Sequence, residues 1–139
     1  MKALDHWFSE QGWTVFPFQR ESWDYFDRGF SGIVNAPTGS GKTYALLLPA
    51  MRQAALLKEK GVKVLWITPL RALAREIHEA ANRAAVALDF PGKIGIRTGD
   101  TSATDRRKLK KSPPDVLITT PESLHIMLSA GNPMESLGT

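Results

Sequence analysis

Four short apolar runs constrain this chain more than any other feature: residues 32–36 (GIVNA), 62–68 (VKVLWIT), 93–97 (KIGIR) and 115–119 (DVLIT). Each is separated from the next by a segment long enough to form a helix, not by the two to five residues of a hairpin. Strands separated in this way run parallel and are joined by right-handed crossovers. The intervening segments carry helical patterning. Leu70, Leu73, Ala74, Ile77, Ala81, Ala84 and Leu88 recur at the i, i+3, i+4, i+7 spacing of a core-facing stripe, and Pro69 suits the first position of that helix. Helices are expected over 42–58, from Pro69 along the stripe, over about Ala103–Lys111, and from Pro121 to about Ser129. Pro113-Pro114 ends the third, and Gly131, Asn132 and Pro133 stop the fourth. The fold class is therefore α/β, a parallel sheet with helices on both faces. Ligands of such sheets bind beyond the carboxyl ends of the strands, here Ala36, Thr68, Arg97 and Thr119.

Composition narrows the chemistry. The 139 residues suit one domain, and 42% hydrophobic with 23% charged residues is enough to form a core. The absence of cysteine excludes disulfides, thiolate zinc sites, iron–sulfur clusters and cysteine catalysis. His6, His78 and His125 share no metal-binding spacing. The longest apolar run, 45–50, is broken by Pro49 and is far short of the roughly 20 residues that span a bilayer. The acidic, polar and aromatic N-terminus does not resemble a secretory signal, so a soluble, cytoplasmic domain with no membrane partner is expected. The net charge of +4 is mildly basic, with Arg106, Arg107, Lys108, Lys110 and Lys111 crowded together. Such a cluster is either a solvated helix face or a phosphate contact surface.

The sequence Ala36-Pro37-Thr38-Gly39-Ser40-Gly41-Lys42-Thr43 follows the first apolar run and opens a helix. Glycines there permit a tight loop whose backbone N–H groups converge on a triphosphate at an anion-favouring helix N-terminus. Lys42 supplies a point charge for the β- and γ-phosphates, and Thr43 a hydroxyl for Mg²⁺. The strict phosphate-loop pattern has glycine where this chain has Ala36; the remainder matches. An ATP site comprising Thr38, Gly39, Ser40, Gly41, Lys42 and Thr43, with Mg²⁺ held through the nucleotide and Thr43, is expected.

These residues resemble the first RecA-like domain of superfamily 2 (DEAD/DEAH-box) helicases. Residues 38–49 (TGSGKTYALLLP) look like motif I of that family and the helix after it. Phe16-Pro17-Phe18-Gln19 resembles a Q motif, in which the glutamine amide reads the adenine edge. The other reading of Gln19 is a surface helix residue. Thr68-Pro69-Leu70-Arg71-Ala72-Leu73-Ala74 is similar to motif Ia, with Leu70 and Ala72 where DEAD-box proteins have threonine and glutamate. Thr119-Thr120-Pro121-Glu122 resembles motif Ib, with Glu122 in place of glycine. These departures, the opening residues 12–21 and the Thr98-Gly99-Asp100-Thr101 turn resemble most the Lhr-like, ligase-associated DEXH-box DNA helicases. The resemblance implies that Pro69, Arg71, Thr98, Gly99, Thr101, Thr120 and Pro121 bind a tracking strand of single-stranded or partly duplex DNA, with RNA as the other option. Hydroxyls, backbone amides and an arginine suit phosphates, which carry no sequence information. Arg71 also has a purely structural reading, pairing with Glu76 or another acid. The aromatics Trp7, Phe8, Trp13 and Phe16 suit a core or an interface better than a stacking shelf for adenine, and Trp66 suits the core.

The resemblance places the catalytic carboxylates in an Asp-Glu-x-His on a strand after motif Ib, and this sequence has no Asp-Glu pair. No catalytic residue is therefore assigned, and Asp100, Asp115 and Glu122 are the acids near strand ends. Residues 1–139 correspond to the N-terminal part of the first RecA-like domain, whose sheet is incomplete without the motif II and III strands. The 32–36 run should then have unpaired edges and exposed apolar surface. The expected function is the ATP-binding portion of an ATP-dependent DNA helicase or translocase in DNA repair. Its expected partners are the remainder of the helicase and, as an accompanying protein, a DNA ligase or nuclease. The alternatives are a stand-alone nucleotide- and nucleic-acid-binding module without hydrolysis, or a non-helicase P-loop NTPase such as a small kinase.

Overall fold

The computed structural model describes residues 2–34 and 42–129. In chain order these form α1 (Lys2–Glu10), α2 (Pro17–Asp27), α3 (Lys42–Leu56), β1 (Val64–Ile67), α4 (Arg71–Leu88), β2 (Ile94–Arg97), α5 (Ala103–Lys111), β3 (Val116–Thr119) and α6 (Pro121–Ser129). The three strands are all parallel, in the order β1-β3-β2, with Val64 and Ile94 both opposite Val116. Three of the four apolar runs thus form the expected sheet. In the fourth, 32–34 join no strand and Ile33 is 95% exposed, while 35 and 36 lie outside the described residues. The expected exposed apolar surface is present at Ile33. The strand itself is not seen: 32–34 pair with neither free edge of the sheet, β1 or β2.

All four residues of β3 are buried, which identifies the central strand of the sheet. Its Val116 and Ile118 face a core built from Leu47, Leu48 and Met51 of α3 and Ala74, Ile77, Ala80, Ala81 and Ala84 of α4. Alanines along the inner stripe of α4 leave room for the larger side chains of α3. The outer turn of that stripe departs from expectation: Leu70 is 63% and Leu73 38% exposed. The reason is that α4 begins at Arg71, with Leu70 still extended at φ −116°, ψ 134°. Pro69 is therefore not its first residue, because the Thr68 N–H remains paired with the Thr119 carbonyl at 3.0 Å and the chain turns only afterwards. α3 ends at Leu56, short of residue 58, since Leu56 and Leu57 beyond buried Ala54 are 80% and 50% exposed.

Two N-terminal helices, unmarked by any long periodic stripe, close the core. Trp7 and Phe8 of α1 and Trp23 of α2 are buried, so these aromatics belong to the core. Trp7 and Phe8 meet the Tyr44 ring at 5.4 and 6.0 Å in edge-to-face contacts. Trp13 packs on the same group while 41% exposed, and Phe16 is 47% exposed and stacked on Phe18. Trp66 is half-buried against the core.

The amino ends of the strands are fastened by Asp115. Its carboxylate accepts the Lys93 N–H at 2.8 Å and pairs with Lys63, whose side chain is 10% exposed. Its carbonyl accepts the N–H groups of Lys63 and Val64, at 2.8 and 3.0 Å. Burial alone would raise the Asp115 pKa, but the hydrogen bonds from Lys63 and the Lys93 amide outweigh it and hold the carboxyl below its ordinary value. A depressed folded-state pKa contributes stability that is present above the unfolded value of about 4 and is lost as pH falls through the folded value. Asp115→Asn should therefore lower the unfolding free energy by about 2 kcal/mol at pH 7. Urea melts should show the gap to the unsubstituted chain closing below about pH 4. A gap that stays constant into acid would show that the carboxylate charge does not fasten the strands.

Candidate nucleotide and nucleic-acid site

The carboxyl ends of the three strands are brought into one row by Thr119. Its carbonyl accepts the Thr68 N–H, and its hydroxyl donates to the Arg97 carbonyl at 2.8 Å. The segments after β1, β2 and β3, each singled out by sequence, therefore lie side by side. Two helix N-termini open on this row, α4 at Arg71 and α6 at Pro121, and their first amides lack intrahelical partners.

The turn after β2 is held from within. The Thr98 hydroxyl accepts the Asp100 N–H at 3.1 Å, and the Thr101 hydroxyl accepts the Thr98 N–H at 2.9 Å. The Thr120 hydroxyl donates to Ser123 Oγ inside the first turn of α6. The hydroxyls expected to face phosphate are thus engaged in shaping the turns, and Thr98 and Thr120 are buried at 4% and 3% exposure. What faces outward is different. Gly99 is exposed, and its N–H has no partner among the described residues. Pro69 and Pro121 are exposed rims beside it.

Arg71 lies over Gly99. A Cβ at position 99 would crowd Arg71 Nη2, so a larger residue would push the exposed guanidinium aside. Arg71 Nη1 meets Asp100 Oδ1 at 3.0 Å, and Arg75 Nη1 meets the other carboxylate oxygen at 3.2 Å. Pairing with another acid, the structural alternative for Arg71, is thus present, although the acid is Asp100 and not Glu76. Both partners remain more than half exposed, where such pairs contribute about 0–1 kcal/mol and yield readily to a phosphate. Arg75 is the site residue that sequence reading missed; Asp100 and Arg106 were named only as a strand-end acid and as part of the basic cluster. The i, i+4 spacing of Arg71 and Arg75 was the available signal, since it puts both on one helix face. Arg106, from the basic cluster, donates to the Thr98 and Gly99 carbonyls at 3.2 and 3.5 Å and so braces the turn. Burial, and then the charge of Arg106, lowers the pKa of neighbouring Arg97. Arginine stays protonated at neutral pH even so, which makes this end of the sheet cationic.

On the nucleotide side, Thr38, Gly39, Ser40 and Gly41 lie outside the described residues. Lys42 and Thr43 form the first turn of α3, Lys42 exposed and Thr43 half-buried. Gln19 is 2% exposed, which rules out the surface reading, and its Oε1 accepts the Phe16 N–H at 2.8 Å to close the first turn of α2. One helical turn later, buried Trp23 donates from Nε1 to the Tyr44 carbonyl at 3.0 Å. The helix that holds Gln19 is therefore locked to the turn that holds Lys42 and Thr43. Among the acids, Asp115 is at the far end of the sheet, Asp100 is shared by two arginines, and Glu122 is exposed in the first turn of α6.

The family model of the DEAD/DEAH box helicases matches residues 16–139. ATP-dependent helicase Lhr-Core protein 2 of Thermococcus barophilus is 37% identical over 96% of this chain and 17% of its own length. A protein of Mycolicibacterium smegmatis described as Lhr helicase and probable uracil glycosylase is 39% identical over 89% of this chain and 9% of its own length. The solved structure of the Mycobacterium smegmatis helicase Lhr bound to ssDNA and AMP-PNP superposes with a TM-score of 0.78 at 35% identity. It covers 99% of this chain, which spans 19% of that one. The chain therefore belongs to the DEAD/DEAH box helicase family.

Proposed function

We propose that residues 1–139 form the N-terminal, ATP-binding part of the first RecA-like domain of an Lhr-type DNA helicase or translocase. The observation that carries this reading is the Thr119-fastened row, which sets Arg71 over Gly99 beside two open helix N-termini. Such a row offers cationic and N–H donors to a sugar–phosphate backbone without reading bases. Pro69, Arg71, Gly99 and Pro121 would line the strand, and Thr98, Thr101 and Thr120 would shape the backbone that meets it.

The residues present fit ATP with Mg²⁺. Exposed Lys42, at the start of a 15-residue helix, would meet the terminal phosphates together with Thr38, Gly39, Ser40 and Gly41. The half-buried Thr43 hydroxyl suits the metal, which when bound would neutralise charge on the phosphates. Gln19 would serve the adenine, on a helix fixed to the phosphate turn by Trp23. No described acid is placed as a catalytic carboxylate, and the reading for this chain is confined to nucleotide binding. The relative described as helicase and probable uracil glycosylase supports a place in DNA repair, since glycosylases act on damaged bases. No helix among the described residues is long and apolar enough to cross a membrane. A small-kinase function is set aside by the family match.

Lys42→Ala should weaken triphosphate binding at least tenfold while changing monophosphate binding little, because a charge-assisted contact to the terminal phosphates is lost. Titration with fluorescent nucleotides measures this, and equal losses for both would remove the phosphate role. Hydrolysis stimulated by single-stranded DNA and lost in Lys42→Ala would overturn the binding-only reading. Arg71→Ala should lower single-strand affinity and reduce the slope of log K against log salt by about 0.7. Gly99→Ala, which displaces the guanidinium, should cost a similar amount, and the double variant no more than either single one. Additive losses would show that Arg71 and Gly99 act separately.

A further inference from the structure

The basic cluster of α5 is only partly accounted for by Arg106. Between α4, the outer edge of β2 and α5 lies a groove of about 760 Å³, open to solvent, that begins at Thr98 and Asp100 and runs back to Lys93 and Pro114. Arg75, Lys93, Lys108 and Lys111 line it, opposed by the carboxylates of Asp100 and Asp105. Asp100 is already shared between Arg71 and Arg75, and Asp105 sits in the first turn of α5, where the helix dipole favours it. Lys108 and Lys111 are exposed and have no acidic partner among the described residues. The groove therefore holds a local cationic excess within a chain whose net charge is only +4.

Its floor adds neutral donors. β2 is an edge strand, and the Val116 N–H bonds to the Lys93 carbonyl. In a parallel ladder this turns the N–H groups of Ile94 and Ile96 outward, toward the groove. The four residues of β2 extend about 13 Å, the length of about four nucleotides of stacked strand. Buried Gly95 lets α5 and Pro114 pack against β2 beside the groove, since a Cβ there would stand 2.8 Å from Leu109 Cδ2 and 2.9 Å from Pro114 Cγ.

We propose that this groove is a second nucleic-acid contact, holding the backbone phosphates of the strand segment that continues past the 98–101 turn. The proposal rests on the strand-end reading above and extends it along the flank of β2. Lys108 and Lys111 are its principal cations, with Lys93 and Arg75 at the two ends. Continuity with the 98–101 turn is what favours a nucleic-acid strand over an unrelated acidic ligand.

The test is fluorescence anisotropy of a long labelled oligothymidylate with the full chain, across a range of salt concentrations. Lys108→Ala/Lys111→Ala should reduce the slope of log K against log salt by about 1.4, at roughly 0.7 per phosphate contact. Lys108→Arg/Lys111→Arg should restore it. Lys58→Ala/Lys60→Ala, two exposed lysines in the loop between α3 and β1, should leave it unchanged. An unchanged slope in the Lys108/Lys111 alanine variant, with Arg71→Ala still weakening binding, would overturn the groove and leave the strand-end reading standing. An equal loss from the Lys58/Lys60 variant would also overturn it, by reducing the effect to general charge. A chain that binds no oligothymidylate at any salt concentration would overturn both readings. Both lysines are exposed, and circular dichroism of each variant keeps a folding defect from being read as a binding one.

Discussion

Burial of the central strand on both faces is the constraint on which the rest of this structure depends. A strand in that position cannot leave polar groups unmatched, and each unmatched one would cost about 1–3 kcal/mol. At the carboxyl end of β3 the obligation falls on Thr119, whose hydroxyl and carbonyl are matched by the backbones of β2 and β1. Satisfying one buried threonine thus aligns three strand ends. A slip of one residue in either ladder would turn Thr119 or its neighbours to the wrong face and break both bonds. The register that places Arg71, Gly99 and Pro121 in one row is in this sense a by-product of burial.

The two ends of the sheet solve the same problem with opposite charge. At the amino ends a carboxylate, Asp115, collects a lysine and a backbone amide and fastens the strands. At the carboxyl ends Arg97 and Arg106 crowd together, and Arg71 and Arg75 share a single acid. The hydroxyls there are turned inward. The face offered to a ligand is therefore made of guanidinium groups and backbone amides, which bind phosphate well and discriminate bases poorly. The glycine at 99 lets the neighbouring Arg71 guanidinium sit directly above the backbone.

Three strands, α5 and α6 were legible because local and tertiary signals agree there. The β-branched runs are bounded by prolines and polar turns, and α5 carries its own cap, Ser102 Oγ accepting the Asp105 N–H at 3.1 Å. The start of α4 was misjudged because a long-range bond, Thr68 to Thr119, keeps the chain extended past Pro69. α1 and α2 were not anticipated, being short and held to Tyr44 of α3, well along the chain, by ring contacts from α1 and by the Trp23 hydrogen bond to its carbonyl from α2. In the site, Arg71 and the 98–101 turn were legible as chemistry, whereas Asp100 was not legible as their link. The partners of Asp100 are 29 and 25 residues away, and no periodic pattern encodes such a contact. Gln19 was placed by motif; its burial followed from the turn it closes.

The nucleotide turn and the strand row are connected through helices. Residues 32–34 join no strand, and the outer face of β1 is open, with Leu65 and Ile67 at 37% and 47% exposure. Lys42 and Thr43 are instead held by α3, which α2 grips through Trp23 and through the Arg52–Asp27 pair at 3.1 Å. The buried face of α3 packs on α4, and the first residue of α4 is Arg71. Close-packed helices transmit small displacements because their interiors compress little. Between the Lys42 end of α3 and Arg71 lie Leu47, Leu48 and Met51, packed in one core with the alanine stripe of α4. The same small residues that let the two helices approach closely thus also make α4 the packed connection between the Lys42-Thr43 turn and the strand row.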